Sequence, residues 1–263
     1  MKLIGLNIWG GLAGHDRLLA FLDAQRDADF LCLQEVWSAP YEGLEGASAG
    51  GRPLDQAKIM VRGRQEISAL LADHEAFFHP HHRDDYGLMT LVSRRLRVVD
   101  SGDAFVHRER GYIPEGDIGH HARNVQFTTV ETPEGRISVM NFHGLWNGRG
   151  KGDSDERLAQ SRRLLAFLAA RAEPFVLCGD FNLAPDTKSL AMLEAAGLKN
   201  LVAEFGVAST RTRLYPGAER FADYVFISPG VAVRDFRVLA DEVSDHAPLR
   251  LEFALADERA GRR

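Results

Sequence analysis

Cysteine is scarce in this chain of 263 residues. Cys32 and Cys178 are the only two, each inside an apolar run (FLCLQEV and FVLCGDF). They exclude a disulfide framework, so a reduced, cytoplasmic setting is expected. No apolar run reaches the ~20 residues that a membrane span needs. The opening MKLIGLNIWGG has one basic residue and no small-residue cleavage site, so no secretory signal is expected. Positive charge is also in short supply. The 32 Lys and Arg against 37 Asp and Glu leave a formal charge of −5, which argues against affinity founded on broad neutralisation of duplex phosphates. Internal repeats and Pro- or Gly-rich linkers are missing, and low complexity is confined to GLEGASAGG (43–51). With 45% hydrophobic and 26% charged residues, the chain is not of the disordered class. A chain this long buries about three-quarters of its unfolded surface, enough for a large core without staples. The expectation is one catalytic-size domain over residues 1–256 and a frayed charged tail, DERAGRR, over 257–263.

Short apolar runs rich in Val, Ile, Leu and Phe recur along the sequence. They predict strands at KLIGLNI, DFLCLQEV, GLMTLVSR, RVVDSGDAFV, NVQFTTVE, RISVMNFHG, PFVLCGD, ADYVFIS, VRDFRVLA and PLRLEFA. Helical spacing predicts helices over Asp16–Arg26, Gln56–Leu71, Ser154–Ala170 and Thr187–Ala196, the third opening on Ser154 as N-cap. Strands outnumber helices about two to one. That balance implies an α/β (α+β) chain of two packed, mostly antiparallel sheets with helices outside.

Ionisable and amide groups interrupt these runs at their ends. Asn7 closes the first strand and Glu35 the second. His143 closes VMNFH, and Asp180 and Asn182 close VLCGDFN. Asp223 opens DYVFI, while Asp245 and His246 precede the last strand. One such interruption is a strand reaching solvent. Six segments doing so point to one shared rim, where ligands bind in compact sheet proteins. Glu35, Asp245 and Asn7 offer hard oxygen donors without a thiolate, which suits Mg2+ or Mn2+. Asp223 and His246 have the makings of a carboxylate–imidazole pair, and Asp180 those of a group that orients or deprotonates a water. Asn182 and His143 are donors for charge developing on a phosphoryl group.

The ordered set LN (6–7), QE (34–35), FH (142–143), GDFN (179–182), DYVF (223–226) and SDH (244–246) resembles the endonuclease/exonuclease/phosphatase superfamily, over nearly the whole chain. The resemblance implies a four-layer α/β sandwich and a metal-dependent phosphoesterase. It implies Glu35 as the main metal ligand, with Asn7 and Asp245 in support, directly or through water. It further implies Asp180 as the residue aligning the nucleophilic water, Asn182 as a phosphate contact, Asp223–His246 as the acid–base pair and His143 as a second histidine.

The substrate is left open by family membership. The leading expectation is a phosphodiesterase or phosphatase acting on a small or single-stranded phosphoester. A DNA nuclease of abasic-site repair type is the alternative, and a non-catalytic binding module the remote one. No obligate protein partner is inferred. Trp9, Trp37 and Trp146 each follow a site residue and would ring the cleft mouth. Arg123, Asn124, Trp146 and Asn147 are candidate substrate contacts, Arg123 through a bidentate grip on a phosphate oxygen. The loop LWNGRGKGDSDE (145–156) reads as a specificity loop. HPHH (79–82) reads as a polar loop, since its spacing fits no established zinc pattern. SRRLR (93–97) reads as a strand with a solvated face.

Overall fold

The computed structural model describes residues 1–38, 46–49 and 52–256. The tail 257–263 and residues 43–45 and 50–51 of the Gly/Ala/Ser stretch lie outside the described residues. In chain order the elements are β1 (Lys2–Asn7), α1 (His15–Ala24), β2 (Phe30–Trp37), β3 (Ser48–Ala49), β4 (Arg52–Pro53) and α2 (Gly63–Leu70). Then come β5 (His74–His82), β6 (Tyr86–Ser93), β7 (Arg97–His107), β8 (Arg123–Thr132), β9 (Gly135–His143) and α3 (Asp155–Ala169). The chain continues through β10 (Phe175–Asp180), α4 (Lys188–Ala195), β11 (Lys199–Asn200), α5 (Leu201–Glu204), β12 (Asp223–Ile227), β13 (Val231–Val238) and β14 (Leu249–Leu255).

Two six-stranded sheets result, in the orders β13-β14-β1-β2-β6-β5 and β11-β12-β10-β9-β8-β7. Each is antiparallel except for one parallel pair, β1 with β2 and β9 with β10. A parallel pair needs a crossover, and α1 and α3 supply the two. This arrangement decides where the site lies. Parallel strands finish on the same side, so Asn7 and Glu35 share one rim of the first sheet, and His143 and Asp180 one rim of the second. Antiparallel neighbours begin there. Asp223 opens β12 directly opposite Asp180, and Arg123 opens β8.

The sheets pack face to face through Leu3, Phe30 and Cys32 on one side and Val139, Val176 and Cys178 on the other, all essentially unexposed. The first sheet's outer face takes Leu18, Phe21 and Leu22 of α1 and Ile67 of α2. On the second, α3 and α4 bring Leu164, Leu168, Leu190 and Leu193. Each such side chain contributes roughly 1.5–3 kcal/mol when withdrawn from water. Helices, sheet, sheet and helices make the four-layer α/β sandwich. As expected, Ser154 caps α3, its Oγ accepting the Arg157 N–H.

A polar strap crosses the apolar interface. Gln34 Nε2 donates to Asn141 Oδ1 at 2.6 Å, and Asn141 Nδ2 donates to the Leu33 and Met89 carbonyls. Thr90 donates to Gln126, which donates to the Phe77 carbonyl. A one-residue slip between sheets would orphan all of these groups, so the strap fixes their relative position.

Three expectations are corrected. HPHH is no loop, because His74–His82 forms an edge strand. Pro80 is tolerated there, since an edge strand has one side without ladder bonds. SRRLR is the turn from β6 to β7, in which Arg95 reaches back to Ser93 and Asp29. The second helix is shorter than expected, since Ile59 and Met60 are buried ahead of it and the Met60 N–H donates to Gly10.

Candidate active site

The bulge between Leu33 and Val36 re-aims β2 where it leaves the ladder. Glu35 sits in it with φ 60, and Asn182 (φ 57) and Trp9 (φ 51) are also left-handed. Each non-glycine residue in that region costs on the order of 1–2 kcal/mol, and such strain collects at functional sites. Two glycines allow the close approach on the second sheet. A Cβ on Gly179 (φ +143) would lie 1.9 Å from the Phe142 carbonyl oxygen, and one on Gly144 would lie 2.3 Å from that of Phe181.

All eight expected catalytic and metal-binding residues converge at this rim. Asp180 is the hub. Its Oδ1 accepts the Asn182 N–H at 2.8 Å, and its Oδ2 accepts from Asn7 Nδ2 at 3.0 Å. The same oxygen is 3.7 Å from His143 Nε2 and 3.6 Å from His246 Nε2. These gaps are too wide for direct hydrogen bonds and are of the kind an intervening atom fills. Both oxygens of Asp223 lie 2.8 Å from His246 Nδ1, which leaves Nε2 facing the cleft. Burial works to raise the Asp180 carboxyl, but His246, Lys151 and Arg211 outweigh it and hold its pKa below the ordinary range. The His246 imidazole moves the other way. Burial and Arg211 lower it, and the carboxylates of Asp223, Asp245 and Asp180 more than offset them. Burial and then Arg123 hold His143 well below the usual imidazole range, so it stays neutral.

Glu35 Oε1 lies 3.9 Å from His143 Nε2, and donor atoms of Glu35, His143 and Asp180 all fall within 4.8 Å of one another. Burial raises the Glu35 carboxyl, with Asp245 and Asp180 adding to the rise. Oxygen donors of Glu35 and Asp180 gathered this closely, with the Glu35 carboxyl disfavoured as an anion by burial and by its acidic neighbours, fit a divalent cation. Asn7 bridges the carboxylates: its Oδ1 accepts the Trp9 N–H at 2.9 Å while its Nδ2 donates to Glu35 and Asp180. Asp245 has one oxygen held by Arg211 Nη1 at 3.0 Å.

A cavity of about 600 Å3 opens above these groups. Trp9, Trp37 and Trp146 all line it, and Trp146 stacks on His120 with centroids 5.6 Å apart. Arg123 lines it too. This residue is 2% exposed, its Nη2 donates to the Gly119 carbonyl, and its Nε and Nη1 have no hydrogen-bond partner among the described residues. Two candidate contacts are placed elsewhere. Asn124 is buried outside the cavity wall, accepting from His81 Nδ1 and donating to Asp103. Asn147 serves its own loop, donating to Ser154 Oγ and accepting the Arg149 N–H.

Sequence reasoning left four contributors without a role. Lys151 donates through Nζ to Asn182 Oδ1, and Arg211 braces Asp245. Both sit in glycine- or proline-flanked loops without apolar periodicity; Lys151 belongs to the loop 145–156 expected to carry specificity, whereas no pattern marks Arg211. The others, His81 and His121, stack with centroids 4.6 Å apart behind His143. Their buried side chains come from segments whose polarity reads as surface.

No curated protein sequence matches the chain at significance. Among solved structures, a mannosyl-6-phosphatase from Bacteroides thetaiotaomicron superposes with TM-score 0.74 at 15% identity, over 97% of this chain and 100% of that one. The human Nocturnin catalytic domain with bound sulfate gives 0.64 at 18% identity, over 97% and 93%. A humanised zebrafish TDP2 gives 0.67 at 17%, over 97% and 98%. These likenesses are of fold. The family model for the endonuclease/exonuclease/phosphatase family matches residues 4–246. With that match spanning both sheets and every residue at the rim, the chain belongs to the endonuclease/exonuclease/phosphatase family.

Proposed function

We propose that residues 1–256 form one catalytic domain that hydrolyses a phosphoester with an activated water and a bound Mg2+ or Mn2+, acting on a small or single-stranded substrate. The observation that carries this reading is the convergence of Glu35, Asp180 and the Asp223–His246 pair from both sheets on one buried hub. Glu35, with Asp180 in reach and Asp245 beside them, would hold the ion. When bound, it supplies positive charge to a phosphoryl oxygen.

The protein's own groups divide the remaining work. Asp180 is a poor base, because the cations around it stabilise its charge. It orients the attacking water by accepting its hydrogen bond. Asp223 accepts the His246 Nδ1–H, and the surrounding carboxylates favour the imidazolium, whose Nε2–H faces the cleft. That proton passes to the leaving oxygen, and the neutral ring then takes up the proton that the attacking water sheds. Arg123 offers two unpartnered nitrogens to phosphoryl oxygens, and Asn182 and neutral His143 add donors. No nucleophilic Ser or Cys is needed. Both cysteines are buried in the core.

Hydrolysis of p-nitrophenyl phosphate or its bis-ester with Mg2+ or Mn2+ tests this. EDTA abolishes turnover, and Asp180→Asn or His246→Ala lowers kcat by about 100-fold or more. Retained turnover in either variant refutes the assigned roles.

A further inference from the structure

The cleft contains more buried positive charge than the acid–base set uses. Lys151 is 8% exposed, and its Nζ donates to an amide oxygen, that of Asn182. It pairs with no carboxylate among the described residues. Arg157 fixes the loop that carries it, donating to the carbonyls of Leu145, Gly150 and Gly152. The Ala184 N–H closes onto the Lys151 carbonyl at 2.8 Å. Arg211 lies 4.1 Å over the Tyr215 ring, spends Nη1 on Asp245 and leaves Nε unpartnered. Lys151 and Arg211 act on Asp180 and Asp223, whereas Arg123 acts on Asp180 and Glu35. Cations therefore approach the Asp180 hub from two flanks. A buried cation without an anionic partner is costly, and an anion entering the cleft recovers that cost.

The number and placement of these groups select among phosphoesters. A monoester dianion presents three non-bridging oxygens and two charges. A diester presents two such oxygens and one charge, and it must seat a second organic group. Trp37, Ile59, Leu54 and Ile118 form one apolar cluster that lines the cavity and suits an organic group, whereas beside Arg211 the Tyr215 ring is already covered by the guanidinium. The Lys151–Arg211 flank would desolvate two cations against a second ester group. We propose that the cleft is built for phosphomonoesters carrying one apolar or planar group, with Lys151 and Arg211 binding the phosphoryl oxygen that a diester would replace with its second substituent.

This inference rests on the phosphoesterase reading, and two matched pairs of probes separate the two. The first is p-nitrophenyl phosphate against methyl p-nitrophenyl phosphate, which differ by one methyl and share a leaving group. The second is phenylphosphonate against its monomethyl ester, titrated calorimetrically in Mg2+ and in EDTA. The wild type favours the monoester in kcat/KM, and the phosphonate dianion in Kd, by about tenfold or more. Lys151→Met lowers the monoester's kcat/KM and the dianion's affinity about tenfold more than those of their methyl esters, so both ratios narrow, while Lys151→Arg restores the preference. A lysine that only positions Asn182 would lower both substrates equally, and that result overturns the proposal. So does a wild type that prefers the diester while Asp180→Asn still abolishes turnover, which leaves the phosphoesterase reading standing. Absence of metal-dependent turnover on either ester removes both.

Discussion

Acidification to pH 5 should destabilise the fold through histidines that the interior keeps neutral. Burial, then the charge of Arg123, pushes the His81 imidazole down to about 3 from an ordinary value of 6.5. Burial and the charges of Arg83 and Arg123 push His82 down to about 4. Because these folded pKa values lie below the unfolded one, stability is full above about pH 6.5. It falls as pH drops from there toward the folded values, since the unfolded chain takes up protons that the native state refuses. Between pH 7 and 5, His81 alone forfeits about 2 kcal/mol. His82 is counted at about 1 kcal/mol, because solvent screens part of its surroundings. Burial lowers His107, His121 and His143 in the same sense, while His246 and Glu35 move oppositely and offset part of that. A net loss of about 3 kcal/mol is a large share of a typical 5–15 kcal/mol margin. For a chain of this size it lowers Tm by roughly 6–12 °C. Calorimetric melts in EDTA at pH 7, 6 and 5 measure it directly. A Tm that is flat or rises toward pH 5 would refute the reasoning.

Other perturbations have equally definite outcomes. His82→Phe removes a buried imidazole with no hydrogen-bond partner on either nitrogen among the described residues, so it should stabilise by about 1 kcal/mol and flatten the pH dependence of Tm. Gly179→Ala drives a Cβ into the Phe142 carbonyl at a strained φ; loss of soluble folded protein, or a Tm drop of at least about 5 °C, is expected. Asn141→Leu breaks the inter-sheet strap and should cost about 2–4 kcal/mol in urea melts, because Gln34 is left buried without its acceptor. Trp146→Ala should raise KM for an aryl phosphate about tenfold with kcat nearly unchanged, if the ring contacts the organic group of the substrate.

The sequence made the rim legible because strands impose a simple rule: a polar group at the end of an apolar run faces either solvent or a site. Asn7, Glu35, His143 and Asp180 follow it, and the two parallel pairs bring them together. That rule identifies positions without fixing orientation. Asn7 turning its amide nitrogen toward the carboxylates depends on the backbone at Trp9, which is set by tertiary packing. His74–His82 was illegible as a strand, because Pro80 and alternating imidazoles mimic a loop, whereas the neighbouring strand supplies the pairing that local propensity lacks. Arg211, and the partner of Lys151 within its expected specificity loop, were illegible for another reason. Loop residues gain meaning only from what faces them, and Asn182 and Asp245 are distant in sequence.

Glu35 and Asp245 belong to segments of one sheet, while Asp180, His143 and Asp223 belong to the other, and Gly5 faces Cys178 across the seam at close range. The centre is therefore an instrument reading the alignment of two slabs. Neither slab holds a working half, so turnover reports their registry more sensitively than global melting does. Alanine at Gly5 would meet the Cys178 sulfur at an ordinary 3.6 Å. A larger side chain there, as in Gly5→Leu, would push the halves apart by a fraction of an ångström, and at that scale reaction rates fall while the fold persists. Tolerance to substitution in this protein should thus be lowest along a line that touches no substrate at all.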